Sequence, residues 1–300
     1  MSLLVLGTVA LDNIKTSRGH HRALLGGSAA HFSMSARLFT KVHLVGIIGE
    51  DFPPRHIQFL RSKGIDITSL ITRKGKSFQW HGEYKDHDLN TAITLATEIG
   101  VLLNYRPQIA SHQRRLPNVF LANIDPDIQL QLLRLMARPK LIGLDSMNLW
   151  IAHRKKALRI LIPKVNLFVL NDGEARQIVG ETNLIKAAKA LRRMGPQLIV
   201  IKKGEHGVLF YCDKFMFTFP AYPVEHVIDP TGAGDTFAGG LMGYLSKSGR
   251  VNEATLRRAV IYATAMASFN VEGFGMAKTA DLTLPRVHAR MKKLVKFITP

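Results

Sequence analysis

Residues 227–244 read VIDPTGAGDTFAGGLMGY, and this stretch decides how the rest of the chain is interpreted. Asp229-Pro230 is typical of a turn after a strand, and from Phe237 onward apolar side chains recur at helical spacing. The small residues 232–234 lie between the turn and the helix, and they leave their amide groups open to a ligand. Amides at a helix N-terminus favour an anion, so the stretch predicts a phosphate site.

A carboxylate, Asp235, follows this small-residue loop directly. A bound phosphate would repel its charge, so a base that receives a proton during phosphoryl transfer explains its position better than a purely structural role does. The alternative is an acid that only stabilises its own helix. Because the helix dipole favours the charged form, we expect a weak base whose orientation matters more than its basicity.

The segment DPTGAGDTFAGG resembles the C-terminal signature of the ribokinase-like (PfkB) carbohydrate and nucleoside kinases. In that family the amides form an anion hole and the Asp is the catalytic base, so the resemblance assigns these roles to Gly232, Ala233, Gly234 and Asp235. It implies an ATP-dependent phosphotransferase that phosphorylates a hydroxymethyl group of a small sugar, with ATP, Mg²⁺ and also K⁺ as cofactors. Two alternatives stay open: a nucleoside kinase in which Trp80 stacks on the base, and a ribokinase-like protein that only binds sugar, nucleotide or nucleic acid.

The composition is ordinary for a globular chain, but the charge is not. The 300 residues are 46% hydrophobic and include 41 basic and 22 acidic residues, for a formal net charge of +19. A basic excess attracts nucleic acid or anionic membranes, yet these residues are scattered and no nucleic-acid motif accompanies them. No apolar run is long enough to span a bilayer, and a single cysteine forms no disulfide framework. We therefore expect a cytoplasmic protein without a membrane partner or a specific nucleic-acid partner.

Short apolar runs alternate with helical patterns, which predicts an α/β fold with a largely parallel central sheet and helices on both faces. One of these helices is predicted over Leu149–Leu161. The polar run 14–24 and the period-two alternation of Phe78–Tyr84 do not fit the central sheet and predict a small separate one. The resemblance implies that this small β-sheet is a lid, made approximately from residues 12–25 and 66–105. We expect one domain over residues 1–300 and a homodimer formed through the lid.

Asp12, Gly26 and Gly27 follow strand ends, at the edge where α/β folds bind ligands. An acid there can accept hydrogen bonds from sugar hydroxyl groups, although it is equally typical of a turn. The resemblance favours substrate binding, because the family contacts its sugar through this Asp and the Gly-Gly pair. His31 stands where the family commonly has Asn, so it is a candidate for substrate choice or a residue that only packs within its helix.

Asn171 and Glu174 open a helix straight after a strand, a pattern typical of a capping box. The resemblance gives this pair a second role in placing the triphosphate, with Glu174 holding Mg²⁺ through water. A single carboxylate with water ligands is consistent with such a hard cation. The resemblance also makes Asp229 and Thr231 candidates for a monovalent-cation site.

The turn at residues 203–207, KGEHG, would alone be a hairpin connection. The resemblance places Lys203, Gly204 and Gly207 along the nucleotide and Thr264 beside the adenine. Asp145 begins a segment, DSMNLW, that resembles part of the sugar-kinase pattern without its proline and arginine.

Overall fold

The structure, a computed structural model, describes residues 2–299. Its strands are β1 (Ser2–Leu6), β2 (Ala10–Thr16), β3 (Gly19–Gly26), β4 (Lys41–Gly49), β5 (Asp66–Arg73), β6 (Gln79–Lys85), β7 (Asp88–Glu98), β8 (Asn118–Leu121), β9 (Leu141–Leu144), β10 (Leu167–Asn171), β11 (Leu198–Lys202), β12 (Val208–Tyr211) and β13 (Met216–Phe219). Its α-helices are α1 (Ser28–Ala36), α2 (Pro54–Ser62), α3 (Pro126–Leu135), α4 (Asn148–His153), α5 (Lys155–Leu161), α6 (Asp172–Val179), α7 (Leu184–Arg193), α8 (Ala233–Ser248), α9 (Glu253–Asn270) and α10 (Leu284–Ile298).

The large sheet has nine strands in the order β13-β12-β11-β10-β9-β8-β1-β4-β5. All neighbours from β11 to β5 are parallel, and β12 and β13 extend the sheet in antiparallel fashion at one edge. Successive residues of β1 enter two different cores, because side chains alternate across a strand. Leu3 and Val5 belong to the core that includes side chains of α1 and α8, and Leu4 and Leu6 belong to the core that includes those of α5 and α7. Helices therefore cover both faces, as the alternating pattern predicts.

The small sheet has four strands in the order β3-β2-β6-β7. Strands β2 and β3 form an antiparallel hairpin, β6 runs parallel to β2, and β7 pairs antiparallel with β6. Both segments whose patterns do not fit the central sheet thus leave it and pair with each other. Within residues 2–299 no helix is both long and apolar enough to cross a bilayer.

Two boundaries differ from the sequence-based expectation. Asp66–Arg73 pairs with β4 in the large sheet, and Val101 and Leu102 are buried in its core, so the small sheet takes only residues 79–98 of the expected range 66–105. An edge strand lacks the continuous apolar run of a central parallel strand, which explains why the pattern does not reveal it. The helix predicted over residues 149–161 is divided at Arg154, where φ is −122° and ψ is 30°.

Candidate active site

The carboxyl ends of the parallel strands meet at one edge of the large sheet, where open α/β sheets bind ligands. Asp145 follows β9, Asn171 ends β10 and Lys202 ends β11. Asn171 and Lys202 are partners in the register of β10 and β11, so they lie side by side. The topology alone brings these three polar side chains together.

Gly232 caps the N-terminus of α8 with a φ of 74°, and a methyl group there would lie 2.4 Å from the His31 ring. Only glycine fits this left-handed, crowded position. Among residues 2–299 the amides of Gly234 and Asp235 have no hydrogen-bond acceptor. Lys202 reaches the same place, since a methyl group on Gly234 would lie 2.9 Å from its Nζ. Unpaired amides, the helix dipole and an ammonium group together form a candidate anion site.

Lys202 is surrounded by carboxylates. Its Nζ donates a hydrogen bond of 3.3 Å to Asp145 Oδ2. Burial opposes its charge, but the carboxylates of Asp145, Glu174 and Asp235 outweigh that effect and raise its pKa. The ammonium group therefore stays charged beside the anion site.

The Asp235 carboxylate differs from the weak base that its position at a helix N-terminus predicts. Loss of hydration inside the protein raises its pKa to about 7. The Asp145 carboxylate adds to this rise, and Lys202 opposes it. Loss of hydration and like charge thus outweigh the helix dipole. A carboxyl group that titrates near neutral pH suits a general base.

Glu174 makes the capping box that its spacing predicts. Asn171 Oδ1 accepts the Glu174 N–H, and Glu174 Oε2 accepts the Asn171 N–H, both at 2.7 Å. Burial, then the Asp145 charge, raises the pKa of Glu174 to about 8. Three carboxyl groups with one lysine between them leave an excess of negative charge, and each carboxylate destabilises the others. This oxygen-rich donor set fits a hard divalent cation such as Mg²⁺.

Asp12 lies on the small sheet and faces the same site. Its Oδ2 accepts the Gly27 N–H at 3.4 Å, and a methyl group on Gly26 would lie 1.8 Å from that oxygen. Burial raises the pKa of Asp12 to about 7; the Gly27 amide opposes the rise, and Asp229 and Asp235 add to it. The structure thus brings Asp12 close to the glycine pair and within electrostatic reach of Asp235.

His31 is 1% exposed and lies against Gly232. Burial lowers its pKa to about 4, although Asn270 offsets part of the effect, so the ring is neutral. Asn270 lies beside the ring, but neither ring nitrogen meets full hydrogen-bond geometry with any of the described residues. A buried polar group without a well-formed hydrogen bond is costly, which makes these nitrogens candidates for contact with a bound hydroxyl group.

Asp229 is fully buried and joins two loops. One carboxylate oxygen accepts the Thr231 N–H and the other accepts the Gly275 N–H, each at 2.9 Å. The Thr231 carbonyl accepts a hydrogen bond of 2.7 Å from Asn270. The remaining lone pairs of these oxygens could also ligate a monovalent cation, so the residues fit the expected group.

A cleft of about 730 Å³ opens beside the anion site. The predicted nucleotide residues that line it are Asn171, Gly204, Gly207 and Thr264. Lys202 also lines the cleft, whereas Lys203 lies outside the lining and its N–H closes the turn on Gly207 O at 2.7 Å. Lys202, and not Lys203, therefore supplies the side-chain amine that faces the cleft at this end of β11.

The small sheet contributes to both parts of the site. Residues 86–90, which form the β6–β7 turn and the start of β7, line the cleft, and Asn90 exchanges two hydrogen bonds of 3.3 Å with Glu205. Tyr84 is buried, and its hydroxyl oxygen accepts from Thr231 Oγ1 at 3.5 Å. Tyr84 and Lys202 are not among the residues that the sequence motifs predict. The sequence marks both only weakly. Lys202 is a lysine at the end of a strand, and Tyr84 lies on the inward side of a strand with alternating residues.

Solved structures of other proteins share this fold. The nucleoside kinase of Methanocaldococcus jannaschii superimposes with a TM-score of 0.78 at 21% identity, over 97% of this chain and 98% of that one. The aminoimidazole riboside kinase of Salmonella enterica, in complex with aminoimidazole riboside and an ATP analog, gives 0.74 at 19% identity, over 97% and 100% of the two chains. The fold is ribokinase-like.

Comparison of the sequence with known proteins identifies the family. The profile of the pfkB family carbohydrate kinases matches residues 12–281. The cytidine kinase of Thermococcus kodakarensis is 33% identical over 264 residues, which cover 86% of this chain and 92% of that protein. The chain therefore belongs to the pfkB family, and it is a kinase.

Proposed function

We propose that this kinase transfers the γ-phosphoryl group of ATP to the hydroxymethyl group of a nucleoside. The observation that carries the proposal is the Asp235 carboxylate beside the unpaired amides of α8 and the Lys202 ammonium group. A protein that only binds sugar or nucleotide gains nothing from a carboxylate next to an anion site, since it would weaken anion binding.

In the proposed reaction the acceptor hydroxyl oxygen attacks the γ-phosphorus and passes its proton to Asp235. The bond from the γ-phosphorus to the bridging oxygen breaks, and ADP leaves with that electron pair. The amides of Gly234 and Asp235 and the Lys202 ammonium group offset the charge on the phosphoryl oxygens in transit. Asp12 orients the acceptor by accepting hydrogen bonds from its hydroxyl groups.

Glu174 and Asp145 would hold Mg²⁺, directly or through water, and the ion would neutralise charge on the phosphates. Asp229 and Thr231 would ligate a monovalent cation such as K⁺. Asn171, Gly204, Gly207 and Thr264 would line the nucleotide, with Lys203 supporting the turn between them.

A nucleoside is favoured over a free sugar because of Trp80. Asp12 and Trp80 are partners in the parallel register of β2 and β6, so their side chains share one face of the small sheet. The indole is partly exposed and rests along Gly82, with its Nε1 donating to Thr94 at 3.2 Å. An aromatic face next to the residue that orients the sugar is placed to stack on a base. The relatives named as cytidine kinase and nucleoside kinase agree with this choice.

A free sugar is the second candidate, favoured by Asp12 and the glycine pair, which contact only the sugar. We also propose that the small sheet acts as a lid within a single domain, and that it joins two chains in a homodimer. Ile93 and Leu95 on the edge strand β7 are 43% and 59% exposed, which supports such contact. A cytoplasmic location without a specific nucleic-acid partner completes the proposal.

The test is an ATP-consumption assay over cytidine, inosine, adenosine, aminoimidazole riboside, ribose, deoxyribose and fructose. We expect turnover with nucleosides, and a loss of at least about 100-fold in Asp235→Asn while nucleotide binding survives. Asp213→Asn removes an exposed carboxylate far from the cleft and serves as the matched control. Activity of Asp235→Asn within about tenfold of wild type, roughly 1.4 kcal/mol in the barrier, would refute the assigned base. Turnover of free sugars alone would select the second candidate.

A further inference from the structure

Three side chains meet at the edge of the large sheet opposite the active site. His43 lies near the start of β4, Asp66 is the first residue of β5, and His112 belongs to the one-turn 3₁₀ helix Ser111–Arg115. One donor atom from each lies within 4.8 Å of the other two. The active site follows the opposite strand ends, about 20 Å away for six residues of extended strand. These residues are therefore outside the phosphoryl-transfer machinery.

The His43 ring is 3% exposed, and its Nδ1 has no hydrogen-bond partner among the described residues. Asp66 Oδ2 is nevertheless only 2.9 Å from that nitrogen. The imidazole nitrogen and the carboxylate oxygen are therefore in direct contact.

The donor set and its spacing suit one metal ion. Zinc binds imidazole nitrogen at about 2.0–2.1 Å and carboxylate oxygen at about 2.0–2.2 Å, so two donors of a tetrahedral site lie roughly 3.4 Å apart. His43 Nδ1 and Asp66 Oδ2 are 2.9 Å apart, and one donor atom from each of the three residues lies within 4.8 Å of the other two.

The backbone holds the third residue in place. Gln113, next to His112, is fully buried, and its Oε1 accepts hydrogen bonds from Ser69 Oγ at 2.6 Å and from the Ala110 N–H at 3.1 Å. These bonds anchor the one-turn helix to β5, and the His43 and His112 ring centroids are 5.8 Å apart. The fold thus brings the three donors together.

We propose that His43, Asp66 and His112 bind one divalent transition-metal ion of the zinc class, with water completing the coordination. Two imidazoles and one carboxylate are a donor set that zinc accepts. The ion would join β4, β5 and the Ser111–Arg115 segment and so stabilise the kinase. Lys41, which acts electrostatically on both His43 and Asp66, opposes the binding of a cation there.

The experiment uses the full chain, stripped of metal with a chelator that is then removed. Titration calorimetry with Zn²⁺ should give one ion per chain with a Kd of about 1 μM or below. His112→Ala and Asp66→Asn should each weaken binding by at least about 30-fold. His226→Ala removes an exposed histidine elsewhere and should bind as wild type does. Zn²⁺ at about 100 times the wild-type Kd should raise the melting temperature of wild type and His226→Ala at least about three times as much as that of His112→Ala.

Equal Zn²⁺ affinity in His112→Ala and wild type overturns the proposal, as does the absence of a one-to-one phase in wild type. Loss of folding does not obscure the result, because His112 is exposed and the melting temperature of the metal-free variant reports directly on its integrity. Equal loss of affinity in His226→Ala would show adventitious binding to surface histidines and would also refute the site.

Discussion

Asp12→Asn separates the binding role of this carboxylate from its effect on stability. Burial raises the pKa of Asp12 from 3.8 to about 7. The Gly27 amide opposes this rise, and the charges of Asp229 and Asp235 add to it. A carboxyl group whose pKa is raised on folding binds more protons in the folded state between these values. It therefore destabilises the folded protein progressively as the pH rises through that window. Asn carries no charge to desolvate, and its oxygen can still accept the Gly27 N–H.

A pKa rise of about 3 lowers the free energy of unfolding of wild type by about 4 kcal/mol at pH 8. At pH 5 only part of the range between the two pKa values has been crossed, so the loss is roughly 2 kcal/mol. The unfolding entropy of a chain of this length is about 0.6 kcal/mol/K. The ligand-free Asn variant should therefore melt about 6 °C above wild type at pH 8 and about 3 °C above it at pH 5. Its kcat/KM should fall by at least about 100-fold, since the acceptor loses a charged hydrogen-bond partner.

Thermal unfolding of both proteins by circular dichroism between pH 5 and pH 8 measures the first effect, and the ATP-consumption assay measures the second. Asp127→Asn, an exposed carboxylate at the start of α3, controls for added positive charge on a chain of net charge +19. A variant that melts below wild type at pH 8, or a difference that does not grow with pH, would refute the reasoning.

Three further outcomes are expected. Lys202→Met should lower kcat by about 100- to 1000-fold in steady-state assays, because a charged donor leaves the anion site, whereas Lys203→Met should cost far less; equal losses would contradict the assignment. His31→Asn should change the ranking of substrates by kcat/KM across the sugar and nucleoside panel, and an unchanged ranking would leave His31 a packing residue. Substrate and nucleotide together should slow amide hydrogen exchange in residues 10–26 and 79–98 more than in the core strands, and unchanged exchange there would count against a lid.

Much of the site could be predicted because its signals are local. The small residues 232–234, the adjacent Asp235 and the Asn171–Glu174 spacing each describe one helix N-terminus, whose dipole and unpaired amides follow from backbone geometry. The structure adds Lys202 and Tyr84, whose importance depends on neighbours that are distant in the sequence. Lys202 and Lys203 look alike in the chain, and only the register of β11 decides which one faces Gly234.

The sequence by itself determined the α/β layering, because periodicity acts over a few residues. The resemblance of residues 229–240 to the family signature indicated the family and the helix that we propose as the phosphate site. Only the tertiary structure decided that Asp66–Arg73 joins the large sheet, that Asp235 has a pKa near 7, and that His43, Asp66 and His112 meet. Strand pairing at an edge, loss of hydration and the approach of distant charges are properties of the assembled fold. They depend on burial and on which strands become neighbours, and no local pattern of residues encodes either.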